Sequence, residues 1–153
     1  MVCLDETSQM QQALTGERIQ ILTPAERQSD LPLTQPVLIK VHLPGDGPAG
    51  TILRVDSGSN APLLFASHSD TLPWLQRANA RPASVANGAL SLAVAPPQEV
   101  RIGPRTSRQV AFLTPINTGR KFAKAGEDGL LPTTLFKRVF ISYRDSHVMF
   151  DPR

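Results

Sequence analysis

The stretch "TILRVDSGSNAPLLF", residues 51–65, decides how this chain is read. Residues 51–55 are apolar and β-branched around a single arginine, Asp56 ends the run, Ser57-Gly58-Ser59 turns the chain, and Leu63, Leu64 and Phe65 resume the apolar pattern. Aspartate, serine and glycine are favoured in any tight turn, because short polar side chains bond to neighbouring backbone and glycine adopts conformations that other residues avoid. The acid is therefore either a corner or a carboxylate placed for chemistry. Its surroundings separate the two.

Just upstream, "VLIKVHL" (residues 37–43) reads as a strand, and the turn-rich "PGDGPAG" (44–50) joins it to the opening stretch as a hairpin. Downstream, "SHSDTLPWLQRANA" (67–80) carries Leu72 and Leu75 at helical spacing beside Trp74, with Ser69 or Asp70 as a cap, and predicts a helical turn. "ALSLAVA" (89–95), "EVRIG" (99–103) and "RQVAFLTP" (108–115) predict three further strands, and "INTGRKFAKAGEDG" (116–129) an exposed loop. In "LPTTLFKRV" (131–139), Thr133 and Thr134 suit an N-cap and Leu135, Phe136 and Val139 share one helical face, which predicts a short amphipathic helix. "FISY", "RDSH" and "VMF" then predict a closing hairpin over 140–150.

With 153 residues, 41% of them hydrophobic and 19% charged, the chain has the size and balance of one globular domain. Fourteen prolines and ten glycines break it too often for long helices, so a mostly β fold is expected. Residues 1–34 hold five acids and two bases, whereas residues 35–153 hold eight acids and fourteen bases. Residues 1–35 accordingly read as an acidic N-terminal extension or linker, with a strand at "RIQIL" (18–22), and residues 36–151 as the domain proper. No apolar run is long enough to span a bilayer, and the N-terminus lacks the basic and apolar regions of a signal peptide, so no membrane role is expected and the compartment stays open. Cys3 reads as a spare surface thiol.

Strand-Asp-Ser-Gly-Ser, followed some seventy positions later by Gly129-Leu130-Leu131, a short helix and a hairpin with a Tyr-Arg-Asp turn, resembles one lobe of a retropepsin-like, bacterial-type aspartyl protease, from Pro36 to Phe150. The resemblance implies a single-lobe, acid-protease-like closed β barrel. "VDSGSN" would be its catalytic turn and "DGLLP" the strand crossing behind that turn in a psi-shaped loop. It further implies Asp56 as the catalytic carboxylate, with Ser57, Gly58 and Ser59 supporting its turn. Peptide hydrolysis without metal or covalent intermediate needs one group to deprotonate water and another to protonate the leaving nitrogen, which two carboxyls sharing a proton can do. The chain holds no second strand-Asp-Ser/Thr-Gly, so the twin would come from a second copy or from a preceding lobe of a longer protein. Two features depart from the pattern: Arg54 within the strand and proline at the end of "GLLP". A flap is not evident either, although "ASVANGALSL" (83–92) offers a glycine-tipped hairpin.

Other chemistries fit less well. His42, His68 and His147 lack metal-ligand spacing, and no cofactor motif is present, so neither metal nor cofactor is expected. Ser67, His68 and Asp70 are the residue types of a hydrolase triad, but chain neighbours rarely adopt its geometry. Arg101, Arg105, Arg108, Arg120, Lys121 and Lys124 could meet phosphates, yet no stacking aromatics are interleaved with them, and nucleic acid is not expected as a partner. The sequence thus predicts an aspartic-type endopeptidase lobe acting on peptide or protein. The alternative is the same fold as a catalytically silent binding or dimerisation module.

Overall fold

The computed structural model describes residues 2–3, 16–22, 35–65, 72, 74, 79–85, 88–104, 106–115 and 126–151. The expected loop at 116–125, the glutamine-rich segment at 8–14, most of the "SHSD" region with His68 and Asp70, and Arg105, Arg120, Lys121 and Lys124 lie outside these residues.

Among the described residues thirteen strands are formed: β1 (Val2–Cys3), β2 (Arg18–Gln20), β3 (Leu38–Val41), β4 (Thr51–Asp56), β5 (Leu63–Leu64), β6 (Asn79–Val85), β7 (Gly88–Val94), β8 (Gln98–Arg101), β9 (Ser107–Val110), β10 (Leu113–Pro115), β11 (Gly129–Pro132), β12 (Arg138–Ser142) and β13 (His147–Asp151). They make a seven-stranded sheet in the order β3-β4-β11-β5-β10-β7-β6, a four-stranded sheet β1-β12-β13-β2 and the pair β8-β9. The protein is mostly β, as expected. The sheets form no closed barrel among the described residues. Where edges meet, single bridges join them, Leu22 to Leu38 at the start of β3 and His42 to Arg101 just past its end, in place of a continuous ladder.

One hydrophobic core serves all three sheets. Ile39, Val41, Leu53, Val55, Leu64 and Leu131 come from the large sheet, Ile19, Val139, Val148 and Phe150 from the second, and Val100 and Val110 from the pair. Ile19 places the 16–22 segment in that core, and β2 pairs with β13. Trp74 packs on the core's edge, its ring centroid 6.4 Å from that of Phe112, and its indole N–H donates to the Pro44 carbonyl at 2.8 Å. The hairpin loop between β3 and β4 is closed by Asp46, whose Oδ2 accepts the Leu43 amide at 2.7 Å and the Thr51 hydroxyl at 3.2 Å. Gly50 completes that loop with φ of +71° and its Cα packed on the Val41 carbonyl, which only glycine permits.

The helix expected over 131–139 does not form. β11 runs through Pro132, one 3-10 turn covers Thr133–Leu135, and β12 begins at Arg138. The cap position is occupied by Pro132, not by either threonine, and no side chain caps the turn. Both ends are claimed by sheets: Pro132 lies opposite Asp56, while Arg138 pairs with Asp151 and grips its carboxylate at 2.7 and 2.8 Å. Five residues between two anchored strands leave no room for helical propagation, whose nucleation is costly. The apolar residues that looked like a helical face are used as core instead, Phe136 stacking 4.4 Å from Phe150.

The expectation of an exposed loop through residue 129 is also corrected at its end. Glu127 is buried and Gly129 begins β11 between β4 and β5, with Leu63 and Leu53 immediately beside its Cα. A methyl there would strike the Leu63 carbonyl oxygen, a backbone atom fixed by the ladder. Gly129→Ala is expected to destabilise the protein by about 3 kcal/mol or more, read as a lower urea midpoint with an unchanged slope.

Candidate active site

β4 alternates between faces. Thr51, Leu53 and Val55 are buried, whereas Ile52, Arg54 and Asp56 line the opposite, partly open face. The strand period thus brings the arginine that looked out of place in an apolar run onto the same side as Asp56. It is not buried in the core.

Asp56 is the last residue of β4, and its side chain is 26% exposed. Its Oδ1 accepts the Gly58 amide at 2.8 Å, which folds residues 56–58 into a tight turn under the carboxylate. Gly58 does not have a positive φ; what glycine supplies here is space, since a Cβ would sit 3.3 Å from Oδ1. Ser57 is exposed beside the acid. Ser59 knits its own turn, its hydroxyl donating to the Ala61 carbonyl at 2.7 Å.

Behind the turn lies β11. It runs parallel to β4, with Gly129 opposite Leu53, Leu130 opposite Arg54, Leu131 opposite Val55 and Pro132 opposite Asp56. On its other side it pairs antiparallel with β5, Gly129 opposite Leu64 and Leu130 opposite Leu63. The two strands joined by the Asp-Ser-Gly-Ser turn are therefore held apart by a third that arrives from far along the chain. Pro132, lacking an amide hydrogen, falls at the end of the ladder, a position where proline is tolerated.

Two acids just before β11 carry weight that sequence reasoning missed. Asp128 donates its amide to the Ile52 carbonyl, accepts the Ile52 amide on Oδ2 and accepts the Phe65 amide on its carbonyl, each at 2.8 Å. It staples β4 to the chain leaving β5. Glu127 has a side chain only 3% exposed, with Oε2 at 3.6 Å from Nε of Arg54. The same guanidinium reaches Oδ2 of Asp56 through Nη2 at 3.9 Å. The one signal in the sequence was Arg54 itself, a cation in an apolar strand that required a counter-charge.

Of the rival candidates, His42, His147, Arg101 and Arg108 fall among the described residues. No cluster of potential metal ligands occurs among the described residues. His42 lies 3.9 Å from Asp46 in the β3–β4 loop, and His147 is buried in β13 beside Phe140. Arg108 lies over the Phe136 ring, 5.6 Å from its centroid, and Arg101 is exposed on β8. Of the glycine-tipped segment, residues 83–85 and 88–92 pair antiparallel as parts of β6 and β7, and Tyr143 packs against the core from the closing hairpin. Burial pushes the Tyr143 phenol above its ordinary value. Among the described residues no helix is long and apolar enough to cross a membrane.

No protein-family model matches the chain, and no curated protein is significantly similar to it. Asp128→Ala would remove the acceptor of the Ile52 amide within the sheet, and a loss of about 1–3 kcal/mol is expected, measured by chemical denaturation.

Proposed function

We propose that this chain is one lobe of an aspartic-type endopeptidase with the retropepsin fold, in which Asp56 activates the water that attacks a peptide bond. The observation that carries this reading is the placement of β11 between β4 and β5 behind the Asp56 turn, with Pro132 in register with Asp56. A turn that only reversed the chain would not call for a strand from more than seventy residues away to brace both its arms. The three sheets, laced by single bridges around one core, support an acid-protease-like lobe built on that motif.

The chemistry requires a twin. Asp56 stands at a strand end, partly exposed, with its Ser57-Gly58 flank open, so a second carboxyl group can face it. In the dyad, one carboxylate takes a proton from water as the hydroxyl attacks the carbonyl carbon, and the partner acid protonates the nitrogen as the C–N bond breaks. Two such groups held close share a proton because like charges resist simultaneous ionisation. The twin comes from a second copy across a twofold axis or from a companion lobe. Neither metal nor cofactor enters this scheme, and the substrate is an extended peptide.

Asp56→Asn keeps the shape of the side chain and removes its acid–base function. Cleavage of a peptide library, scanned from acid to neutral pH, is expected to fall by about three orders of magnitude or more, with the thermal midpoint within a few degrees of the parent. Cleavage that survives the substitution would refute the reading. A parent chain that cleaves nothing, whether alone or with its companion lobe, would leave the silent binding module in its place. If the twin is a second copy, specific activity rises with chain concentration, and adding Asp56→Asn chains depresses it more than dilution does.

A further inference from the structure

Arg54 and Glu127 do not form the contact that a purely stabilising pair would. Nε of Arg54 and Oε2 of Glu127 are both buried without a hydrogen-bond partner, yet they face each other at 3.6 Å. A carboxylate and a guanidinium taken out of water are costly unless tightly paired, and a pair selected for stability is normally short and bidentate. Here the guanidinium is split between two carboxylates, Glu127 on its Nε side and Asp56 on its Nη2 side at 3.9 Å. The backbone that carries Glu127 is held in place, because the next residue, Asp128, is bonded to both Ile52 and Phe65, and the Glu127 side chain is buried.

The contacts on Asp56 complete the chain. Its Oδ1 is held by the Gly58 amide, and its Oδ2 faces Arg54. The terminal torsion of an aspartate is broad, so a hydrogen bond to one oxygen leaves the carboxylate plane free to swing, whereas a cation on the other oxygen restricts it. A general base has to be held to within some tens of degrees of its working geometry.

We infer that Arg54 and Glu127 are positioning residues for the reaction: buried Glu127 anchors the guanidinium, and the guanidinium sets the rotation of the Asp56 carboxylate against the Gly58 amide. This rests on the peptidase reading above. It assigns a function to the arginine that departs from an otherwise apolar strand and to an acid lying in a polar stretch of sequence.

The test compares the parent with Glu127→Gln, Arg54→Lys and the double variant Arg54→Gln/Glu127→Gln, which removes both charges and so leaves neither buried alone. In the double variant kcat is expected to drop by about a hundredfold with KM within about twofold, and Arg54→Lys to retain an intermediate kcat. The Gly58 amide proton, which reports the Asp56 hydrogen bond, should shift its resonance in Glu127→Gln although Arg54 is still present. If the parent cleaves peptide and the double variant keeps its kcat, or changes KM alone, the inference is overturned. If the parent cleaves nothing, it is the peptidase reading that fails. Whatever the parent's activity, an unchanged Gly58 resonance in Glu127→Gln refutes the coupling of Glu127 through Arg54 to the Asp56 turn.

Discussion

The parallel pairing of β11 with β4 is the constraint on which the rest of the molecule depends. Gly129, Leu130, Leu131 and Pro132 are all buried, and they complete the hydrogen bonding of β4 on one side and β5 on the other. Without that strand, the two arms of the Asp56 turn would expose unpaired backbone groups along an apolar face, which is expensive in the interior. With it, Leu131 joins Leu53, Val55 and Leu64 in the core, and the turn is pinned at the sheet's open face. The large sheet then continues outward through β10, β7 and β6, and the proline-containing strand β6 falls at its edge, where a missing amide costs least.

A second consequence of this pairing concerns charge. The alternation of β4 sends Ile52, Arg54 and Asp56 to the open face, and the approach to β11 brings Glu127 and Asp128 alongside them. One cation thus serves two carboxylates, while the third acid bonds to backbone amides. Each acid has its own role because each is reached by a different atom of β4.

Much of this was legible in the sequence where signals were local. The β3–β4 hairpin, the Asp56 turn, the β12–β13 hairpin and the strand at Arg18–Gln20 followed from apolar runs bounded by turn residues. Periodicity could not place the Gly-Leu-Leu stretch in a strand, since four buried residues in a row carry no period. What failed was what depended on partners distant in sequence. β5 has two residues, too few to show a pattern, and exists because β11 and β10 flank it. Glu127 lay in a polar stretch that reads as loop, although its side chain is buried beside Arg54. The helix over 131–139 was over-read because Leu135, Phe136 and Val139 fit a helical face as well as they fit a turn entering a strand, and the competition was settled by sheets anchoring both ends. "RQVAFLTP" read as one strand but is divided between β9 and β10, which join different sheets.

The separation in sequence between the aspartate and its brace has a bearing on how the protein assembles. Ile52 and Asp128 meet across 76 positions, so closing that loop comes at an entropic cost before any of the contacts it enables can form. During synthesis, the acidic turn therefore leaves the ribosome well ahead of the segment that gives it shape, and a nascent chain carries the carboxylate on an unsupported bend. The bend gains its bracing only when residues 129–132 pair with β4 and β5.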